Sequence, residues 1–309
     1  MHSTQRSVFI AGLTLAIFGS VLFSAKAIVV KLAYRHGVDP TTLIALRMAF
    51  SAPFFIAALV WSARGAEPLA IGEHFRLVVI GLLGYYAASY FDFLGLQYIT
   101  AALERLILYL SPTLVVVLSA VLLKKRFGRA EWAALALAYS GILLVFWHDV
   151  SFEGGQVVVG STFVFASAVC YALYLLMSGE LVRKLGAIRL TSYAMSVSTA
   201  AIFVQFVVLR PWSALQQPAP VYWLSLLNAV LCTVIPVFAT MLAIERIGAS
   251  RTSVASMIGP VATIVLAYVF LDERVTVWQI GGTALVLTGI YVLTLSKPRD
   301  QTALPKEEI

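Results

Sequence analysis

The chain has 309 residues, of which 61% are apolar and only 12% are charged, with a net charge of +7. Apolar runs of about 18 or more residues recur from end to end, which excludes a water-soluble globular protein. The positive charge does not require a nucleic-acid partner, because Lys and Arg at the cytoplasmic ends of membrane helices give the same excess. The composition therefore predicts an all-α, polytopic integral membrane protein.

Hydropathy and the positions of Pro, Gly and charged residues predict ten membrane-spanning helices. The first apolar run is too long for the core of a signal peptide, so we expect it to stay in the membrane. The polar segment 297–309 is predicted to be a disordered cytoplasmic tail, because it has too little apolar surface to bury. In chain order the helices are predicted near 8–34, 41–63, 74–97, 101–123, 129–147, 158–183, 189–209, 220–244, 250–271 and 276–296.

Lys and Arg residues are distributed unequally between the two sides of this predicted bundle. With the N-terminus inside, fifteen of them fall in cytoplasmic segments, whereas only Lys31, Arg35, Arg210 and Arg274 fall in outer segments. Such a bias sets the orientation of membrane proteins. We predict a multi-pass protein of the plasma (inner) membrane, surrounded by lipid, plausibly monomeric, with both termini in the cytoplasm.

The sequence contains an internal repeat with a constant offset of 148 residues. The clearest copies are 94–145 and 242–293, and the offset aligns Pro112 with Pro260. A repeat of this length determines the architecture of a whole chain. The repeated unit is hydrophobic, so the duplication is one of membrane helices.

Five helices per unit is an odd number, so the second unit enters the membrane from the opposite face. We therefore predict two inverted five-helix repeats, residues 1–149 and 150–296. Inverted repeats recur in secondary transporters, where the two halves rock about a central site. This is the first indication of function.

The fourth helix of each unit has a mid-helix Pro, a charged turn follows it, and a last helix closes the unit. The pattern runs from Ser111 to Arg126 in the first unit and from Gly259 to Arg274 in the second. In these features nearly the whole chain resembles the drug/metabolite transporter superfamily, in its EamA-type ten-helix branch, and within it aromatic amino acid exporters. The first copy departs from the family pattern at Lys124, where an acidic residue is usual. The resemblance implies export or exchange of small metabolites.

Pro112 and Pro260 both fall near the middle of the bilayer, at a rise of 1.5 Å per residue. A proline inside a helix removes one backbone hydrogen bond and kinks the helix. Because both copies keep it, we predict a pair of hinges at Pro112 and at Gly259-Pro260. The alternative is a static kink, since Pro is common in membrane helices.

Two predicted helix faces carry tyrosines. They are Tyr86 and Tyr90 in the third helix, and Tyr171 and Tyr174 in the sixth. A Tyr hydroxyl in the hydrocarbon region needs a partner, so the side chain faces a neighbouring helix or a wet cavity. We interpret these faces as walls of a cavity for an amphipathic substrate, with Asn228 as a further polar candidate. Packing between helices is the alternative.

Five ionisable residues lie inside or at the ends of predicted spans, in the outer third of the membrane, and this makes them candidate functional groups. We predict that four of them form an outer gate or an ion-lined exit. In a second interpretation these residues bind a substrate directly. Its carboxyl group lies at Lys26 or Arg47, and its amine lies at Asp92 or Glu104. The alternative is that these side chains extend to the interface without function. The five are Lys26, Arg47, Asp92, Glu104 and Arg105.

Three classes of function are weighed for this pattern: a secondary transporter, a non-transporting sensor or assembly subunit, and an intramembrane enzyme. A secondary transporter of small amphipathic metabolites, with amino acids and particularly aromatic ones favoured, explains the inverted repeat and the midplane prolines. Cationic drugs or other metabolites are the alternative substrates. A non-transporting sensor or assembly subunit would not require a polar aromatic cavity.

An intramembrane enzyme is disfavoured, because no HExxH, GxSxG or paired-carboxylate motif lies at midplane depth. We therefore predict no catalytic residue, no metal site and no cofactor. Proton exchange needs a titrating carboxylate in the transport path, and Asp92 and Glu104 are the candidates within the predicted spans. Facilitated export is the alternative form of coupling.

Overall fold

The structure is a computed structural model that describes residues 2–64, 69–123 and 128–295. Within these residues ten helices are long and apolar enough to cross a membrane, which confirms the predicted number. The basic turn at Lys124 and the predicted tail 297–309 lie outside the described residues. The helices are α1 (His2–Tyr34), α2 (Pro40–Ala63), α3 (Ile71–Gly95), α4 (Ala101–Leu108 and Ser111–Leu123), α5 (Arg129–Glu153), α6 (Gln156–Leu185), α7 (Ala187–Leu209), α8 (Ala219–Ile247), α9 (Ala249–Ser256 and Ile258–Leu271) and α10 (Val277–Leu295).

The short connections between helices follow from local sequence signals. Asp39 caps α2 by accepting hydrogen bonds from the backbone N–H groups of Thr41 and Thr42, at 3.0 and 3.2 Å, and Pro40 occupies the first turn. Gly186 and Gly248 join α6 to α7 and α8 to α9 with φ angles of 78° and 82°, a conformation that favours glycine. These signals keep the turns tight.

The packing of the helices repeats between the two halves. Helix α1 packs against α8 and α9, and its copy α6 packs against α3 and α4, which are the copies of α8 and α9 in the other unit. The remaining pairs, α2 with α7 and α5 with α10, each join a helix to its own copy. Two copies related by a two-fold axis give this pattern of contacts, whereas the division of the chain at residue 149 stays a prediction.

Close contact between α5 and α10 depends on two glycines. A Cβ atom added to Gly141 or to Gly282 would lie 2.6 Å from the carbonyl oxygen of the other glycine. Small residues at a helix crossing let the two backbones approach in this way. This pair brings α5 and its copy α10 into close contact.

Four helices are irregular, at positions that match between the repeats. A π-helical turn interrupts α3 at Leu82–Ala87 and α8 at Val230–Val234, and the starting residues are 148 positions apart. Helix α4 breaks after Leu108 and α9 breaks at Met257. Both breaks come just before the midplane prolines, as the loss of a backbone hydrogen bond predicts. Both halves therefore bend at the same point of the repeated unit.

Two ends of the bundle can be named from their ion pairs. One end carries the connection between α1 and α2, and Asp39 there pairs with Arg210 at 3.0 Å. The other end carries the start of α3, where Glu73 pairs with Lys184 at 2.5 Å. We call these the Asp39 face and the Glu73 face. The Asp39 face is the one that the distribution of Lys and Arg predicts to be outside the cell.

Candidate functional site

An ion triad joins the three helices α1, α3 and α4 inside the bundle. The Nζ atom of Lys26 lies 2.5 Å from Oδ2 of Asp92 and 3.1 Å from Oε1 of Glu104. The three side chains belong to residues that are only 6%, 3% and 0% exposed. One ammonium group is thus shared by two buried carboxylates. The structure brings together three of the four residues that the sequence analysis assigned to a gate.

Arg47 of α2, the fourth predicted gate residue, lies beside the triad but not in it. Its guanidinium carbon sits 4.8 Å from the centre of the Phe93 ring, and the residue is 4% exposed. Its charge interacts with that of Asp92, although no ion pair of Arg47 occurs within the described residues. The Nε atom is buried and has no hydrogen-bond partner there. Arg47 is held mainly by an aromatic face.

Arg105, next to Glu104 in α4, has a similar environment. It donates from Nη2 to the Ser24 hydroxyl at 3.1 Å and lies over the rings of Phe23 and Tyr109, at 5.0 and 5.1 Å. The Phe23 ring is also 5.5 Å from the ammonium of Lys26. Aromatic faces attract cations, more strongly away from water. The three cations are thus embedded among rings.

The break in α9 is connected directly to this group of side chains. Pro260 leaves the carbonyl oxygen of Ser256 without its helical donor, and that oxygen instead accepts from the hydroxyls of Ser20 at 2.8 Å and Tyr109 at 2.5 Å. In α4, the corresponding carbonyl of Leu108 accepts from the hydroxyl of Ser111 at 2.6 Å. The bend in α9 is therefore held by α1 and α4.

Gly259 gives α9 its close approach to the site. Its carbonyl oxygen accepts from the Ser24 hydroxyl at 3.0 Å. A Cβ atom at this position would lie 2.8 Å from Nη2 of Arg105 and 3.0 Å from the hydroxyl oxygen of Ser20. Any larger residue would displace the guanidinium. Gly259, one of the three predicted hinge residues, thus lies against Arg105, and movement of the hinges stays a prediction.

The predicted aromatic walls form two groups of tyrosines. The hydroxyls of Tyr174 and Tyr85 are 3.3 Å apart, and the ring centres of Tyr171 and Tyr174 are 5.4 Å apart. Tyr86 and Tyr90 stack with ring centres 6.5 Å apart. Tyr174 belongs to one core cluster, Tyr86 packs against the cluster that contains Phe93, and Tyr85 packs against both. The predicted walls therefore reach the core around Phe93, whose ring carries Arg47.

The sequence analysis missed Tyr85, Tyr109, Ser20 and Ser24. Ser20 and Ser24 are four residues apart, on one face of an otherwise apolar helix, and this spacing was a usable signal. Tyr85 was hidden because it lies in the π-helical turn of α3 and regular helical spacing does not select it.

Asn228 of α8 is completely buried, just before the π-helical turn. Neither its Nδ2 nor its Oδ1 atom has a hydrogen-bond partner in the described part of the chain, and the same is true of the hydroxyl of Ser225 one turn earlier. Cys232, inside the turn, is also buried. Asn228 lies about one helical turn from Cys232 along α8.

A cleft of about 650 Å³ opens at the Asp39 face, lined by residues that include Lys31, Tyr34, Gln97 and Glu273. Lys31 and Glu273 pair across it at 2.8 Å. The Tyr34 hydroxyl donates at 2.7 Å to the backbone carbonyl of Phe93, whose ring carries Arg47. The cleft thus ends at the wall of the charged site, and Tyr34 and Phe93 separate the two.

Comparison with known proteins agrees with this architecture. The model of the EamA-like transporter family matches the chain twice, over residues 10–147 and 158–295, so its two matches have the 148-residue offset of the repeat. A solved structure with 21% sequence identity aligns over 92% of this chain and 96% of its own, with a TM-score of 0.64. That likeness concerns the fold.

Several proteins named as transporters are similar in sequence. "Uncharacterized transporter YcbK" of Bacillus subtilis is 30% identical over 291 residues, which cover 91% of this chain and 92% of the relative. An "Uncharacterized transporter" of Archaeoglobus fulgidus is 24% identical, over 83% of this chain and 89% of the relative. The family and these relatives are transporters and not enzymes. The chain, a multi-pass membrane protein, belongs to the EamA-like transporter family.

Proposed function

We propose that this transporter exports or exchanges small amphipathic metabolites, with amino acids favoured and aromatic ones first among them. The observation that carries the proposal is the buried triad of Lys26, Asp92 and Glu104, with aromatic rings around it. Charged groups at such depth are energetically expensive and are characteristic of substrate and ion pathways. A zwitterion with an aromatic side chain offers a partner to each kind of group in this site.

The proposed exchange at the triad follows from its geometry. The substrate amine takes the place of the Lys26 ammonium at Asp92 or Glu104, and the substrate carboxylate meets a released cation. Each buried charge then keeps an opposite charge nearby throughout, which limits the cost of moving ions in a medium of low dielectric constant. The rings of Phe23 and Phe93 contact the apolar part of the solute.

Alternating access is the proposed mode of transport. The triad is shut off from solvent at both faces, since its residues are at most 6% exposed. Bending at the paired breaks of α4 and α9 is proposed to open the site to one face and then to the other. In the predicted orientation the cleft at the Asp39 face is the outer vestibule.

The test is counterflow in liposomes that contain the purified protein. We expect labelled phenylalanine to accumulate in liposomes loaded with unlabelled phenylalanine, and tyrosine and tryptophan to compete for it. Glucose and the lipophilic cation tetraphenylphosphonium are the non-competing controls, and protein-free liposomes give the background. Competition by the cation but not by any amino acid contradicts the proposed substrate class.

The same preparation separates the two forms of energy coupling. If protons are exchanged through Asp92 or Glu104, an imposed pH gradient drives accumulation of phenylalanine against its own gradient. In facilitated export the pH gradient has no such effect.

A further inference from the structure

The buried charges of the site do not balance. Lys26, Arg47 and Arg105 contribute three positive charges, whereas Asp92 and Glu104 contribute two negative ones. Both carboxylates pair with Lys26, and neither arginine has an ion pair among the described side chains. A surplus positive charge inside a membrane protein calls for an anion, because an unpaired buried charge is costly.

Several buried polar atoms of the described residues have no hydrogen-bond partner, among them atoms of Asp92, Glu104, Arg47 and Asn228. Arg47 presents a buried Nε without a hydrogen-bond acceptor, and Asn228 presents an amide with neither of its ends satisfied, in the described part of the chain. Their helices, α2 and α8, pack against each other. From the Asp39 face, Arg47 is about 10 Å and Asn228 about 14 Å along its helix, so the two lie at similar depth.

A carboxylate matches these orphan groups. It accepts hydrogen bonds and donates none, and its negative charge can pair with Arg47, which has no ion pair among the described side chains. The guanidinium of Arg47 and the Nδ2 atom of Asn228 supply donors to it. A solute with only a positive charge would add to the surplus.

We propose that Arg47 and Asn228 form an anion subsite that binds the carboxylate of the transported solute. The proposal rests on the proposed function and makes it more specific: the protein selects solutes that carry a carboxylate and rejects solutes that carry only an amine. The triad of Lys26, Asp92 and Glu104 then binds the amine, so separate groups of the protein bind the carboxylate and the amine of an amino acid.

The first arm of the test needs no ligand. Groups kept for a ligand destabilise the empty protein, so replacing them with apolar residues of similar size raises its melting temperature. We expect Arg47→Met and Asn228→Leu to raise the Tm of the purified, ligand-free protein, whereas Lys26→Met lowers it. A structural role predicts the reverse for Arg47 and Asn228, and a rise in neither variant overturns the proposal.

The second arm uses three solutes that differ only in their charged groups: phenylalanine, hydrocinnamate, which has the carboxylate alone, and phenethylamine, which has the amine alone. We expect phenylalanine and hydrocinnamate to raise the Tm of the wild-type protein, and to have no effect on Arg47→Met. Equal or greater stabilisation of the wild type by phenethylamine overturns the proposal.

The two arms distinguish the subsite from the proposed substrate. If the Tm rises in the variants and hydrocinnamate stabilises the wild type but phenylalanine does not, the anion subsite stands and the aromatic amino acid is the wrong substrate. If counterflow of phenylalanine is observed but neither variant gains stability, the subsite is wrong and the proposed function stands.

Discussion

Lys26→Met is expected to abolish transport and to lower the free energy of unfolding by about 3–5 kcal/mol, the range for breaking a buried ion pair. The substitution keeps an unbranched side chain that is one heavy atom shorter, but it removes the ammonium that Asp92 and Glu104 share at 2.5 and 3.1 Å. Two carboxylates then face each other in a buried place without their common cation. Both quantities are measured on the purified protein, by counterflow and by chemical unfolding.

The matched control is Lys184→Met, which removes the same group from a surface pair. Lys184 lies 2.5 Å from Glu73, but its side chain is 55% exposed, so the change is expected to cost less than about 1 kcal/mol. The double variant Lys26→Met, Asp92→Asn should regain part of the lost stability, because one of the two stranded charges is gone. Transport at the wild-type rate by Lys26→Met would remove the triad from the mechanism.

Pro260→Ala is expected to slow transport by about tenfold without loss of stability. The alanine N–H restores a helical hydrogen bond to the carbonyl of Ser256, which competes with the hydroxyls of Ser20 and Tyr109. One such bond contributes about 0.5–1.5 kcal/mol, and a barrier change of 1.36 kcal/mol changes a rate tenfold. The straightened α9 resists the bending that alternating access requires. Initial rates of counterflow measure the effect.

Pro53→Ala is the control for this prediction. Pro53 also lies inside a membrane helix, α2, but the residue at the matching position of the second repeat is Ala201. Its removal is therefore expected to leave the transport rate nearly unchanged. Equal slowing by both substitutions would show that any change of helix curvature impairs transport, and the assignment of a specific hinge to α9 would be wrong.

The number of helices and the positions of their bends are predictable from sequence for a simple physical reason. The length of a membrane helix and its apolar composition are set by the bilayer and not by the rest of the fold. The bend points follow from Pro112 and Pro260, because a missing N–H group acts locally. The position of the break in α9, at Met257, is within three residues of its proline.

The pairing of charged residues in the site is also predictable, because ionisable side chains within apolar spans are stabilised by pairing with opposite charges. Lys26, Asp92 and Glu104 lie on three different helices, and only mutual pairing satisfies them at this depth. The uncharged hydrogen-bonding residues of the site were not predictable. The rotation of α1 that brings Ser20 to the carbonyl of Ser256 depends on how α1 packs against α9, which the sequence pattern does not report.

The aromatic prediction shows a second limit. Regular helical spacing predicts Tyr86 and Tyr90 on one face of α3, and these two rings stack at 6.5 Å. It does not select Tyr85, which lies in the π-helical turn at Leu82–Ala87 and whose hydroxyl is 3.3 Å from that of Tyr174. The π-helical turn also packs closely on Tyr174, since Gly84 in the turn lies against the Tyr174 ring. Such irregularities arise from contacts between helices.

The most direct test of alternating access uses a native cysteine of the site. Cys232 is 1% exposed, lies in the π-helical turn of α8 and is one of two cysteines in the chain. In a Cys170→Ser protein in sealed liposomes, we expect a membrane-impermeant maleimide to label Cys232 from either face in turn, and saturating phenylalanine to change the rate of labelling. No labelling from either face under conditions of active counterflow would contradict a central site with alternating access.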